Sequence, residues 1–152
     1  MANYTRIFFL ALFVITVLSG CDKVERASRK LVHTGRWEMT EMSAGNTTFT
    51  KLPKWQFYDC ADAENFCEAT WEHQNGSAIK FYWKFSNLGG DFEFFADPEE
   101  SDSGTMAYSQ CDNFSGIYDV RKNTSKVLWL ESDESKGYPG KFVTLKLIRD
   151  LN

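Results

Sequence analysis

The feature that most constrains the fold of this chain is a pair of alternating runs joined by a tight-turn signal. In residues 67–74, Cys, Ala, Trp and His alternate with polar side chains, and residues 79–86 repeat this period of two. Asn75-Gly76 lies between the two runs, and this dipeptide favours a β-hairpin turn. Because successive strand side chains point to opposite faces of a sheet, each run has one buried and one exposed face. The chain is therefore expected to contain half-buried antiparallel strands.

Short runs of the same kind follow one another along the rest of the chain, and residues 105–108 are interpreted as one of them. No long stretch carries the period of an amphipathic helix. Pro53 interrupts one run and predicts a bent or edge strand there. About eight or nine strands with hairpin-length connections predict an all-β up-and-down meander, and closure into a barrel removes its unpaired edges. We expect residues 34–152 to form one small antiparallel β-barrel of about eight strands.

Aromatic side chains make up 16% of the sequence, and many recur at positions that share one face of successive strands. This set is Trp37, Trp55, Phe57, Trp71, Phe81, Trp83, Phe85, Tyr118 and Trp129. An eight-stranded barrel is wide enough for its own side chains or for one small ligand. A filled core is the favoured interpretation, and it would leave any ligand in a shallow mouth of the barrel. An aromatic-lined pocket for an apolar or glycan ligand is the alternative. The candidate ligand-contacting residues are Trp37, Trp71, Phe81, Trp83 and Trp129.

The N-terminal segment has the pattern of an export signal. Arg6 precedes an uninterrupted apolar block over residues 7–17, and Leu18-Ser19-Gly20-Cys21 follows it. The block is too short to span the roughly 30 Å of hydrocarbon in a bilayer. The segment resembles the lipobox of bacterial lipoproteins. This resemblance implies a signal peptide over residues 1–20, cleavage before Cys21, and a diacylglycerol thioether on its sulfur, usually with a third acyl chain on the α-amine.

Charge is distributed unevenly between the start and the body of the mature chain. The formal charge of the whole sequence is −4; residues 22–33 carry +2 and Arg6 carries +1, which leaves −7 from Thr34 onward. A basic segment beside a lipid suits a domain held near an anionic surface. We favour an ordinary solvated linker for residues 21–33, with a short helix lined by Val24, Ala27 and Leu31 as the alternative. The acidic body lacks the basic footprint of a nucleic-acid-binding protein.

Three cysteines remain in the exported body. Cys60 and Cys67 enclose a short polar loop, and a disulfide between them is favoured in an oxidising compartment. Cys111 is then expected to remain a buried or partly buried free thiol. A metal site made of two thiolates and nearby carboxylates is the weaker alternative, because the stretch has neither a CxxC pair nor a neighbouring histidine.

Residues suited to catalysis are sparse. The sequence has two histidines, His33 and His73, and lacks the G-x-S-x-G, H-E-x-x-H, Walker and dinucleotide-binding motifs. Strand carboxylates such as Glu68 and Glu72 fall at positions that alternation assigns to solvent. We therefore expect a non-enzymatic protein without a cofactor or a metal.

A family resemblance adds to this pattern. Gly35-Arg36-Trp37, near the start of the first strand, resembles the G-x-W signature of lipocalins and their calycin relatives. The pattern continues in Trp55-x-Phe57, Cys67-Glu68-Ala69-Thr70-Trp71, Tyr118-x-Val120 and Leu128-x-Leu130. Together with the lipobox, it resembles the lipocalin-like lipoproteins of Bacteroidetes-type bacteria. This implies an eight-stranded barrel in the cell envelope, at the outer rather than the inner membrane. The body is shorter than in ligand-carrying lipocalins, and Arg149 is the candidate for an arginine that stacks on Trp37.

Two functions remain open at this point. The first is a membrane-anchored lipoprotein that binds a small apolar ligand at the barrel mouth, gated by loops such as residues 135–140. The second is an accessory lipoprotein with a filled core that presents its acidic outer surface to a protein partner in the envelope.

Overall fold

The computed structural model describes residues 23–33, 35–60 and 65–150, and only the backbone of residues 102 and 103. In chain order its main elements are α1 (residues 23–32), β1 (Arg36–Ala44), β2 (Thr47–Thr48), β3 (Lys54–Phe57), β4 (Cys67–Glu72), β5 (Ala78–Ser86), β6 (Asp91–Ala96), α2 (Met106–Phe114), β7 (Gly116–Asn123), β8 (Val127–Ser132) and β9 (Val143–Arg149). Short 3-10 helices, Asn87–Gly89 and Pro98–Ser103, lie on either side of β6. The predicted lipidation site, Cys21, lies outside the described residues.

The strands pair antiparallel in the order β1-β3-β4-β5-β6-β7-β8-β9, and β9 pairs back onto β1. This closes the eight-stranded up-and-down barrel that the alternating pattern predicts. The short β2 pairs with the far end of β1. Between β2 and β3 the chain stays bonded to β1, because the Met39 amide donates to the Pro53 carbonyl at 3.2 Å. Instead of one strand bent at Pro53, the run is divided into two strands, and residues 49–53 between them belong to neither.

The hairpin at Asn75-Gly76 fixes which side chains face inward. Trp71 pairs with Ile79 and Ala69 with Phe81, so the alternating apolar residues of β4 and β5 share one face. The connection covers residues 73–77, because Glu72 already pairs with Ala78. It is longer than the two-residue turn that the dipeptide favours. The inward register is nevertheless the predicted one.

Most of the aromatic side chains predicted to face inward do so. Trp37, Trp55, Phe57, Trp71, Phe81, Trp83, Phe85 and Tyr118 are all buried in the core. The prediction for Trp129 is wrong: Leu128 and Leu130 face inward, and the half-buried indole lies on the outer face with the Lys146 Nζ atom 4.5 Å from its ring centroid. The run 127–130 is wholly apolar, so it has no polar alternation that fixes its phase.

The strand β1 contains an irregularity that keeps two methionines in the core. Its register against β9 shifts between Met39 and Glu41, which is the signature of a β-bulge. Met39 and Met42 are three residues apart, yet both are buried. Strict alternation would have turned one of them outward, so the bulge corrects the phase of the strand.

The helix α1 covers one end of the barrel, and the expectation of a solvated linker is wrong for its residues. We call this the lower end; β1 begins there and runs to the upper end. Leu31 is fully buried, and its carbonyl accepts a hydrogen bond from the Trp37 Nε1 atom at 3.1 Å. Ala27 is buried as well. Gly35 then adopts a φ of +76°, which favours glycine and turns the chain from α1 into β1.

The helix α2 lies at the upper end, where the sequence pattern had predicted a strand over residues 105–108. Thr105 caps the helix, because its side chain accepts a hydrogen bond from the Tyr108 amide. Ala107, Cys111 and Phe114 are buried at helical spacing. This stripe is interrupted by polar residues, and a four-residue window is too short to reveal it.

The predicted disulfide is confirmed. Cys60 and Cys67 are bonded, with their Cα atoms 5.4 Å apart. Cys111 is a free, buried thiol. Because both sulfur atoms of the pair are bonded to each other, neither is available as a thiolate ligand for a metal.

Replacing Leu31 with alanine tests the role of α1. We expect Leu31→Ala to lower the free energy of unfolding in urea by about 2–5 kcal/mol, as for a fully buried leucine. The control Arg29→Ala, on the exposed side of the same helix, is expected to change it by less than about 0.5 kcal/mol. Equal stability of Leu31→Ala and the parent protein would show that α1 does not seal the barrel in solution.

Candidate functional site

Aromatic rings fill the middle of the barrel. The Trp55 ring centroid lies 5.2 Å from that of Trp71, 5.1 Å from that of Phe81 and 5.3 Å from that of Phe94. Phe57 approaches Trp83 in the same way at 5.0 Å. Four of the candidate ligand-contacting residues, Trp37, Trp71, Phe81 and Trp83, are fully buried. Trp71 and Phe81 pack directly, with centroids 6.3 Å apart, whereas Trp37 and Trp83 both contact Phe57. The structure places Trp129 apart from them on the outer wall.

An open groove of about 550 Å³ lies at the upper end, between α2 and the segment that joins β2 to β3. We call it the upper groove. Its apolar lining comes from Phe49, Met106, Phe114 and Tyr138. Met106 is about half exposed (51%), so it offers an apolar surface that a ligand can bury. The sequence analysis named none of these four residues as a ligand contact. It placed Tyr138 in the predicted gate over residues 135–140 and Met106 in the run 105–108 that it interpreted as a strand.

Three rings from distant parts of the chain form the floor of the upper groove. Phe114 lies on α2, Phe49 follows β2, and Tyr138 belongs to the loop between β8 and β9. The ring centroids of Phe49 and Phe114 are 5.1 Å apart, and Tyr138 lies 5.0 Å from Phe114. Burial raises the pKa of Tyr138, so its phenol stays neutral at physiological pH. The floor is therefore an uncharged aromatic surface.

Gln110 holds the wall of the upper groove in place. Its Oε1 atom accepts a hydrogen bond from Trp71 Nε1 at 3.2 Å, and its Nε2 atom donates to the Lys51 carbonyl at 2.9 Å. One amide thus connects a barrel ring, α2 and the segment after β2. Both polar ends of Gln110 are satisfied, which fixes the helix over the barrel.

The loop over residues 135–140, predicted as a gate, lies beside the upper groove. The Gly137 amide donates to the Asn113 carbonyl at 2.8 Å. A Cβ atom on Gly137 would lie only 2.6 Å from the Asn113 side chain, so the loop and α2 pack too closely for any other residue. The loop supplies Tyr138 to the floor, and the structure leaves its gating role as a prediction.

The electrostatic character of the upper groove is set by Lys51 and His73. Among the described residues that line it, none is acidic. The Nδ1 atom of His73 accepts a hydrogen bond from the Asn75 amide at 3.2 Å, which holds the ring against the β4–β5 connection. The lining therefore combines an apolar floor with one fixed cation, Lys51.

The groups with catalytic or metal-binding potential are few in this structure. Burial raises the pKa of Cys111 well above its ordinary value, so this thiol is protonated and a poor nucleophile. Within residues 23–33, 35–60 and 65–150, no three His, Cys, Asp or Glu side chains cluster as metal ligands. No helix in the described part of the chain has the length and hydropathy of a membrane span.

The strand order and the closure of β9 onto β1 decide the fold type. The Gly35-Arg36-Trp37 motif opens β1 next to α1, and Trp37 pairs with Arg149 of β9, whose side chain is exposed. The fold is a lipocalin-like barrel. No protein-family model matches the sequence, and a search of curated proteins finds no match.

Several solved structures are similar to this lipocalin-like barrel. A lipocalin-like protein from Bacteroides uniformis is 16% identical, with a TM-score of 0.49, over 80% of this chain and 99% of that chain. Japanin from Rhipicephalus appendiculatus bound to cholesterol is 13% identical, with a TM-score of 0.46, over 80% of this chain and 78% of its own. A redesigned β-barrel is 13% identical, with a TM-score of 0.49, over 82% and 96%.

Replacing Gln110 with alanine tests the wall of the upper groove. The change leaves the buried Trp71 N–H group without its partner, and we expect a loss of about 1–3 kcal/mol in unfolding free energy. Trp71 emission should shift, because its indole loses a hydrogen bond. The control Ser109→Ala, at the exposed neighbouring position, should leave both readouts unchanged. Identical stability of the two variants would contradict this assignment for Gln110.

Proposed function

We propose that this protein is a lipid-anchored lipoprotein of the bacterial envelope that binds a small amphiphile in the upper groove. The ligand has an apolar body and an anionic head, as a fatty acid does. The observation that carries this proposal is the upper groove itself, where an uncharged aromatic floor lies beside Lys51.

The size and lining of the upper groove suit such a ligand. Ligand sites usually have volumes of about 300–1,000 Å³ and a mostly apolar lining with a few placed polar groups. The apolar chain would cover Phe49, Phe114 and the exposed face of Met106. Its carboxylate would lie near the Lys51 ammonium, in a lining that has no described acidic side chain to repel it. Binding of this kind requires no proton transfer, which agrees with a non-enzymatic role.

Because packed rings fill the interior of the barrel, the upper groove is the favoured place for a ligand. A ligand that entered the barrel would have to displace Trp55, Trp71 or Phe81, each of which is fully buried against other rings. Truncating or moving such rings costs several kcal/mol each. The upper groove accepts a ligand without this cost, because Met106 is already half exposed.

Membrane anchoring in this proposal rests on the sequence pattern at Cys21. Stable anchoring takes at least two acyl chains, which a diacylglycerol thioether supplies. The outer membrane is the proposed location, on the resemblance to Bacteroidetes-type lipoproteins. The anchor and the upper groove are separate features, so each has its own test.

A second candidate function, docking of a protein partner, is favoured by one place on the outer wall. The half-exposed Ile117 and Phe142 line a depression of about 380 Å³ together with acidic side chains. These carboxylates belong to Asp91, Asp119, Glu131, Asp133 and Glu134, with Arg121 among them. A partner with a basic rim and an apolar centre would match this wall.

Titration of the purified protein with fatty acids tests the upper groove. We expect saturable binding, and Met106→Asp should weaken it at least about tenfold, because a buried charge opposes an apolar ligand. Aspartate is tolerated in the first turn of α2, so the fold is kept. The matched control is Leu88→Asp, which changes an equally exposed apolar residue at the lower end.

A second comparison isolates the role of Lys51 in the same titration. Lys51→Gln should weaken a fatty acid but leave the alcohol of equal chain length unchanged, since only the acid carries a charge. Equal effects of Met106→Asp and Leu88→Asp, or no saturable binding of any fatty acid, would refute the upper groove as the binding site.

Replacing Cys21 with serine tests the anchor. The variant lacks the thiol that accepts the diacylglycerol group, so we expect it to be misprocessed or released from the membrane fraction. Fractionation followed by mass measurement of the N-terminal peptide gives the readout, with Cys111→Ser as a control that retains Cys21. A membrane distribution and peptide mass unaffected by Cys21→Ser would refute lipidation at this residue.

A further inference from the structure

A second groove lies at the lower end, between α1 and β7, and it is strongly basic. It has a volume of about 390 Å³. Its charged lining consists of Lys23, Arg26, Lys30, Arg121 and Lys122, all of them exposed. The guanidinium of Arg121 is paired with Glu131 at 2.7 Å and Asp119 at 3.3 Å, so the lysines and Arg26 supply the net charge of the groove. Among the described residues that line it, none is acidic. We call it the basic groove.

The basic groove combines residues that are distant in sequence. Lys23, Arg26 and Lys30 repeat at helical spacing on α1, while Arg121 and Lys122 lie at the end of β7. The irregularity of β7 between Val120 and Lys122 lies here, and it places two consecutive cations on the exposed surface. Within α1, Glu25 pairs with Arg29, and neither of these residues lines the groove.

Packing holds the two halves of the basic groove in a fixed relation. The Asn123 Nδ2 atom donates to the Ala27 carbonyl at 3.3 Å, and the Lys30 Nζ atom donates to the Asn123 carbonyl at 3.2 Å. A Cβ atom on Gly89 would lie 3.3 Å from the Ala27 side chain, so this loop packs closely on α1. The cations therefore form a surface of the barrel rather than part of a loose tether.

The predicted lipid site is adjacent to this surface in the chain. Cys21 precedes Lys23 by two residues, which span at most about 7 Å of extended chain. Acyl chains on Cys21 would therefore enter a membrane beside the basic groove. Leu88, which also lines the basic groove, is the most exposed large apolar residue of the described part (57%).

We propose that the lower end of the barrel docks on an anionic phospholipid surface through the basic groove and Leu88. This inference rests on the proposed lipid anchor and adds an orientation to it. Each basic residue near such a surface raises the affinity about fivefold. The residues from Thr34 onward carry a net −7, so an anionic membrane repels the rest of the domain. The upper groove would then face away from the membrane.

Lysine acetylation on vesicles tests this orientation. The full chain, extracted from cells in detergent, is mixed with vesicles of phosphatidylcholine, either alone or with phosphatidylglycerol, and floated. Acetylation rates are then read by mass spectrometry. We expect Lys23 and Lys122 to react at least about threefold more slowly on the anionic vesicles. Lys51 and Lys136, at the upper end, should react equally on both, and added salt should remove the difference.

Two double variants distinguish an effect of the basic groove from an effect of the net charge of the protein. Arg26→Gln with Lys30→Gln should abolish the protection of Lys23 and Lys122. Lys136→Gln with Lys141→Gln removes the same charge from the upper end and should leave the protection intact. An equal loss in both double variants would overturn the assignment to this groove.

The flotation step distinguishes failure of docking from failure of the anchor. Flotation with both vesicle types but equal acetylation overturns docking and retains the anchor. Flotation with anionic vesicles alone supports docking and overturns the anchor. Absence from both vesicle fractions overturns both.

Discussion

Packing of large rings inside a closed eight-stranded barrel is the interaction on which the rest of this structure depends. Trp55 lies among Trp71, Phe81 and Phe94 with centroids about 5 Å apart, and each of these rings is buried. A barrel of this size has room for its side chains or a ligand, but not for both. With its interior occupied, the protein must present its functional surfaces at the two ends or on the outer wall.

Each end of the barrel is closed by a helix that satisfies an indole N–H group. Trp37 donates to the Leu31 carbonyl of α1 at the lower end, and Trp71 donates to Gln110 of α2 at the upper end. A buried N–H group without a partner costs about 1–3 kcal/mol, so these bonds favour the attached state of both helices. The helices thereby complete the core and also form one wall of each groove.

The two grooves give the molecule chemically different ends. The upper groove has an aromatic floor of Phe49, Phe114 and Tyr138 with Lys51 beside it. The basic groove has four cations besides the ion-paired Arg121, and no described carboxylate in its lining. The aromatic floor of the upper groove can bind the apolar part of an amphiphile, whereas the basic groove can bind an anionic surface. This difference between the two ends supports a barrel whose lower end contacts a membrane and whose upper end binds a ligand.

The sequence by itself determined the barrel. Period-two patterns such as residues 67–74 depend only on the alternation of apolar and polar side chains, and that alternation defines half-buried strands. It also determined the disulfide, since Cys60 and Cys67 are close along the chain. Tertiary structure decided the phase of Trp129, whose apolar neighbours give no alternation. It also decided the burial of Leu31 and Ala107 in helices too short to show a clear period. The tertiary structure also decided where the two grooves lie and which residues line them. Phe49, Phe114 and Tyr138, like Lys23 and Lys122, are brought together only when the barrel closes, and no local pattern encodes contacts between such distant residues.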